Sequence, residues 1–195
     1  VFLADHGEQL GEHGMREKNH FYEGSEKVPF IFCWPDHIKP RIVDKNTSTI
    51  DLFPTLMDYC GIDDYAQRDG RSARPVIEGK YHGRNEVVTE WLYYGRNQAS
   101  HMIVKNRRWK LILNYDQESP RRPGLYNLKR DPDEMVNLIG PLSPDKEKYL
   151  RRASRLKKNM VRWLRERNSS YADRIEALDL GAEYVPYCNE DGNPL

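Results

Sequence analysis

No apolar run in this 195-residue sequence approaches the ~20 residues that a membrane-spanning helix requires, and its longest hydrophobic stretches suit strands and short helices instead. Only three cysteines are present, Cys33, Cys60 and Cys188. They are odd in number, widely spaced and without a Cys-x-x-Cys pair, so neither a disulfide framework nor a cysteine zinc site is indicated. Cys33, in Phe30-Ile31-Phe32-Cys33-Trp34, and Cys60, on the apolar face of a predicted helix, are expected to be small buried hydrophobes. A charge excess is also missing. With 31 basic and 30 acidic residues the formal net charge is +1, so bulk charge argues neither for nor against a polyanionic partner and must be read locally. The first residue is not methionine, and Val1-Phe2-Leu3-Ala4 reads as the middle of a buried strand, whereas chain ends are normally exposed and polar. The expectation is a piece of a longer chain, with any signal peptide outside it.

With 38% hydrophobic and 11% aromatic content, the chain can bury a core of ordinary size, enough for one domain or one and a half. Its most informative region is the first 34 residues. An apolar run delivers Asp5-His6-Gly7, and the next apolar run resumes only at Val28. The charged, histidine-rich loop between them is long, and long loops inside compact domains are usually functional. A carboxylate and an imidazole where a strand breaks into a loop are placed as an α/β enzyme presents a metal site, since ligands in open α/β sheets bind beyond the carboxyl ends of the strands.

Residues 28–34 form a nearly continuous apolar run, the pattern of a strand covered on both faces. Residues 51–61 predict a helix with Asp51 as N-cap, Pro54 in the first turn, Gly61 as terminator, and Phe53, Leu56, Met57 and Cys60 on one face. Shorter alternating segments follow, at 86–91, 100–104, 108–113 and 125–128, and predict a small antiparallel sheet with a hairpin at Lys105-Asn106-Arg107. A second helix is expected from Ser143, with Pro144 in its first position and Tyr149, Ala153, Leu156, Met160 and Trp163 facing inward. Its other face carries Arg151, Arg152, Arg155, Lys157, Lys158, Arg162 and Arg165, which suits a nucleic-acid or sulfated-glycan patch but is more commonly the solvated face of an amphipathic helix.

The stretch Asp5-His6-Gly7-Glu8-Gln9-Leu10-Gly11-Glu12-His13-Gly14, followed by Lys18, Phe21-Tyr22-Glu23 and Val28-Pro29, resembles the type I sulfatases of the alkaline phosphatase superfamily. The resemblance continues in the same order through Asp51-Leu52-Phe53-Pro54-Thr55-Leu56, Asp69-Gly70-Arg71-Ser72, Arg108-Trp109-Lys110-Leu111 and Leu125-Tyr126-Asn127-Leu128-Lys129-Arg130-Asp131-Pro132-Asp133-Glu134-Met135-Val136-Asn137-Leu138. It covers residues 1–165 and corresponds to the C-terminal portion of such enzymes. The implied fold is α/β: the C-terminal part of an alkaline-phosphatase-like α/β sandwich (residues 1–75, with the metal loop), a small antiparallel sheet packed by an amphipathic helix (76–167), and an unassigned tail (168–195).

The resemblance implies roles for individual residues. Asp5 and His6 match metal ligands. An aspartate oxygen suits Ca²⁺ or Mg²⁺, calcium being usual in the family. Lys18 matches the lysine that contacts sulfate oxygens, where a fixed cation stabilises developing charge. His13 and His20 share the loop and are further candidates for substrate contact, His20 ahead of His13; Glu8, Glu12 and Glu23 are read as ordering it by pairing with its basic residues.

The upstream Cys-x-Pro-x-Arg or Cys-x-Ala-x-Arg signature, whose cysteine becomes the formylglycine nucleophile, is absent. Cys33-Trp34-Pro35-Asp36-His37 imitates its start but has histidine where arginine is required, and it follows the metal loop within an expected core strand. The chain is therefore expected to hold half a site and to be inactive alone, with the N-terminal half of the same enzyme as its partner. A sulfated small molecule or glycan is the implied substrate, with no nucleic-acid or membrane partner, and a periplasmic, secreted or lysosomal-type location is implied above a cytoplasmic one. Two alternatives stand beside this reading: a phosphonate or phosphodiester hydrolase of the same superfamily, and a non-catalytic glycan-binding module using the basic helix.

Overall fold

The computed structural model describes residues 1–18, 21–63, 65–81, 83–91, 101–114 and 123–182. His20 and Cys188 lie outside them. The chain divides into two compact units, Val1–Val87 and Val88–Leu195. Among the described residues, no helix is long and apolar enough to cross a membrane.

In the first unit, strand β1 (Phe2–Leu3) pairs antiparallel with β2 (Phe30–Ile31), in the register Phe2↔Ile31 and Leu3↔Phe30. The long loop between them contains a 3₁₀ turn at Glu12–Gly14 and the short helix α1 (Glu23–Glu26). Helix α2 (Leu52–Cys60) follows a 3₁₀ turn at Thr49–Asp51 and ends, as expected, at Gly61, whose φ of 64° places it in the left-handed region where glycine carries no Cβ penalty. Helix α3 (Arg74–Ile77) completes the unit.

Several burial expectations are corrected here. Phe2 is 64% exposed and Ile31 53% exposed, because β1 and β2 form a two-stranded sheet among the described residues, in which only Leu3 and Phe30 are half-buried. Cys33 and Cys60 are likewise exposed, and Cys33 lies beyond the end of β2 rather than inside a core strand. On α2 Phe53 and Leu56 are exposed as well as Cys60, whereas Thr55 is fully buried. Its hydroxyl donates to the Asp51 carbonyl and accepts from the Ala73 N–H at 2.8 Å. Asp51 is not a side-chain N-cap for α2. Its buried carboxylate accepts from the N–H groups of Ser48 (3.1 Å) and Arg71 (2.9 Å) and from the Arg84 guanidinium. A polar hub whose hydrogen bonds are satisfied thus turns the helix face that apolar periodicity assigns to solvent.

In the second unit, β3 (Val87–Trp91), β4 (His101–Lys105), β5 (Trp109–Asn114) and β6 (Gly124–Asn127) form a four-stranded sheet in chain order. β4–β5 and β5–β6 are antiparallel, pairing Ile103↔Ile112 and Leu111↔Leu125. The hairpin closes as its sequence predicts, with the Asn106 side-chain oxygen accepting from the N–H groups of Arg108 and Trp109 at 2.9 Å. Helix α4 (Lys146–Arg165) packs on the sheet and α5 (Ala172–Ala177) packs on α4. Met102, Val104, Leu111, Leu113 and Leu125 meet Ala153, Leu156, Met160 and Leu164 in one core. α4 begins at Lys146, two residues later than the expected first position at Pro144, and the Ser143 N–H instead closes a turn on the Gly140 carbonyl at 3.1 Å.

Candidate functional site

The loop that leaves β1 is set by close backbone packing. The Gly7 N–H donates to the Ser25 carbonyl at 2.8 Å, and a Cβ at Gly7 would lie 1.9 Å from the Gly24 carbonyl oxygen. Only glycine lets the chain approach α1 this closely. Gln9 is fully buried, and its side-chain amide donates to the Ser25 hydroxyl at 3.2 Å. Backbone bonds from Gln9 to Glu17 (3.1 Å) and from Gly11 to Met15 (2.9 Å) fold the rest of the loop back on itself. Of the three glutamates expected to order the loop by pairing, Glu8 and Glu12 make no ion pair with a described residue. Gln9 and Ser25 do the anchoring, and no local sequence pattern marks them.

On this scaffold Asp5 and His6 sit next to each other at the end of β1. The His6 N–H donates to one Asp5 carboxylate oxygen at 3.0 Å, and the other oxygen lies 3.5 Å from His6 Nε2. That backbone hydrogen bond, with the Asp5 backbone next in weight, holds the Asp5 carboxyl below its ordinary range, so it is a carboxylate. His6 Nδ1 lies 2.8 Å from the Gly7 carbonyl. A carbonyl only accepts, so Nδ1 carries the hydrogen and the Nε2 lone pair is left for a cation. The Lys18 ammonium occupies that direction, with Nζ 3.0 Å from Nε2. The Lys18 ammonium and the Asp5 carboxylate thus both lie beside His6 Nε2, at 3.0 and 3.5 Å.

The Asp5 carboxylate fits a hard divalent cation and the His6 nitrogen is a softer second donor, so the described residues supply two donors at most. Calcium takes six to eight oxygen ligands, and among the described residues no group of three or more His, Cys, Asp and Glu side chains is clustered. His13, in the left-handed region at φ 53°, stacks on Tyr22 with centroids 3.7 Å apart and planes 8° from parallel. His20 lies outside the described residues.

Residues 11–166 match the family described as N-sulphoglucosamine sulphohydrolase, C-terminal. The chain belongs to this sulfatase family. Among curated relatives, it is 26% identical over 186 residues to an arylsulfatase of Clostridium perfringens, covering 91% of this chain and 36% of that protein. It is 27% identical over 184 residues to an N-acetylglucosamine-6-O-sulfatase of Bacteroides thetaiotaomicron, covering 89% and 30%. A solved structure of a 2-O GAG sulfatase is similar in fold, with a TM-score of 0.67 and 28% identity over 94% of this chain and 42% of that one. The chain thus spans about a third of the length of the curated relatives it matches. The sulfatase chain combines helices with antiparallel sheets in the α/β arrangement of the alkaline-phosphatase-like superfamily.

Proposed function

We propose that this chain is the C-terminal portion of an enzyme that hydrolyses sulfate esters, and that it contributes Asp5, His6 and Lys18 to an active site completed by an N-terminal part. The observation that carries the reading is the convergence of those three side chains, with His6 Nε2 presented as a lone pair beside the Asp5 carboxylate and the Lys18 ammonium 3.0 Å away. Asp5 and His6 would hold a calcium ion, or magnesium in its place. The bound ion supplies fixed positive charge against sulfate oxygens. Lys18 would bind and orient the sulfate and stabilise charge that builds on its oxygens as the ester bond breaks. The nucleophile is read as a formylglycine carried by the N-terminal part, so the chain alone is inactive.

The substrate class is a sulfated sugar or glycan. Two relatives named for such substrates support it, the N-acetylglucosamine-6-O-sulfatase and the 2-O GAG sulfatase. Calcium titration by calorimetry tests the reading, on this chain, on its Asp5→Ala variant, and on the chain extended upstream. Binding that is weak here and becomes tight and Asp5-dependent in the longer chain is the expected result. No binding in either would sink it, and phosphodiester turnover exceeding aryl sulfate turnover by the extended protein would replace sulfate with phosphate as the substrate group.

A further inference from the structure

We propose that the outer face of α4 is a docking track for a linear sulfated polysaccharide; the choice of polyanion rests on the sulfatase reading above. From Lys148 to Arg165 the helix has eight basic residues and no acidic one, in a chain where the two kinds number 31 and 30. The structure separates these eight into two sets. Three are committed within the unit. Lys157 Nζ donates to the carbonyls of Glu176 (2.7 Å) and Leu178. Arg165 pairs with Glu176 and Asp173, and Arg152 lies over the Trp109 ring, 5.4 Å from its centroid.

The other five are Lys148, Arg151, Arg155, Lys158 and Arg162. Their steps of three, four, three and four return to one helix face. At ~1.5 Å per residue the stripe is about 21 Å long, with a cation roughly every 5–6 Å. Arg151, Arg155 and Lys158 make no hydrogen bond or ion pair with a described residue. Arg162 reaches only the Asn159 side-chain oxygen, at 3.4 Å, and Lys148 lies over the Tyr149 ring, 5.7 Å from its centroid. A solvated helix face ordinarily intersperses the two signs, because like charges at these spacings oppose the helix. Between Glu147 and Glu166, which flank it, this face is uniformly cationic over four turns.

Its surroundings select the partner. The apolar side of α4 is already buried in the core, with Leu156, Met160 and Leu164 at 3% exposure or less, so the helix has no face to insert into a membrane. Single-stranded nucleic acid is recognised by cations interleaved with stacking aromatics, and here Tyr149 and Trp163 pack against the core instead. A sulfated polysaccharide presents a regular row of anions that a row of side-chain cations engages by charge. Such a track would hold a polymeric substrate and lower KM for the polymer while leaving small esters unaffected.

The test is binding of the 195-residue chain to heparin across a salt series. The variant carries Arg151→Gln, Arg155→Gln, Lys158→Gln and Arg162→Gln, glutamine being a good helix former. A control removes the same charge elsewhere through Lys39→Gln, Lys129→Gln, Arg130→Gln and Arg174→Gln. The expected result is at least a tenfold rise in Kd for the stripe variant, with its salt slope reduced by about 3, and less than a twofold change in the control. Replacing Arg151, Arg155 and Arg162 by lysine should keep binding within about threefold, which separates lost charge from lost folding. Equal loss in both glutamine variants, no loss in the stripe variant, or tighter binding to duplex DNA than to heparin would overturn the track. Heparin binding is independent of Asp5 in this proposal, so failure here leaves the calcium titration standing, and the reverse also holds.

Discussion

Lys18 Nζ lies 3.0 Å from His6 Nε2, the atom that the proposed metal site would offer to a cation. The ammonium and a metal ion therefore compete for the same side of the imidazole, and a fixed charge beside the ion opposes binding by about 1 kcal/mol in a solvated site. Lys18→Met should bind calcium about fivefold more tightly by calorimetry. The same change in the full-length parent should lower sulfate ester turnover by about 10²–10³-fold, as loss of one charge stabiliser does. Weaker calcium binding in Lys18→Met would show that the lysine organises the loop rather than facing the ion.

The glycine of the Asp5-His6-Gly7 triplet has a steric reason for being there. Its missing side chain would meet the Gly24 carbonyl oxygen at 1.9 Å. Gly7→Ala must push the loop away from α1 and stretch the Gly7 to Ser25 bond, an overpacking that costs about 1–3 kcal/mol. Thermal denaturation of the two proteins measures it. An unchanged melting temperature would mean that the loop yields freely, contrary to the anchoring by Gln9 and Ser25.

Elements carried by local periodicity were legible before any coordinates. The sheet strands and the inner face of α4 follow from spacing, and Gly61 ends α2 where its left-handed φ of 64° requires it. The Leu125 to Leu138 stretch is equally regular in structure. Asp131 accepts from the N–H groups of Met135 and Val136, and the Asn137 side chain bonds Leu125, Ile139 and Pro123. What local pattern could not reveal depends on partners distant in sequence. Asp51 bonds residues 20 and 33 positions away, Gln9 bonds Ser25 16 positions on, and Thr55 bonds Ala73. These contacts have no period, and they decide which face of α2 turns inward. In the site, adjacency and strand placement marked Asp5 and His6, whereas the hydrogen-bonding direction that frees Nε2 is a property of the folded Gly7 carbonyl.

Lys110 is the one charged residue in β5, where every position is buried, and its ammonium meets the Glu134 carboxylate at 2.9 Å with both side chains at 1% exposure or less. Removing one partner strands a buried charge. Glu134→Ala should cost about 3–5 kcal/mol in urea denaturation, and Lys110→Met combined with Glu134→Leu should restore most of it. A double variant no more stable than the single one would place the value of the pair in its geometry rather than in its neutralised charge.

Tyr59 links stability to alkaline pH. Its hydroxyl is buried without a hydrogen-bond partner among the described residues, and the Arg74 guanidinium lies 5.0 Å from its ring centroid. Burial, with the Glu78 carboxylate next in weight, raises the phenol above its ordinary value. A phenol raised in the folded state stabilises the fold fully below the unfolded value near pH 10. That contribution is lost as pH climbs through the folded value. The wild-type chain should therefore lose stability above about pH 10 more steeply than Tyr59→Phe, which has no proton to release. At neutral pH the same variant should match or exceed wild type by about 1 kcal/mol, because it removes an unsatisfied polar atom. Melting curves at pH 7 and in steps above 10 read both effects. A Tyr59→Phe chain that is less stable at pH 7 would mean that the hydroxyl has a partner in solution.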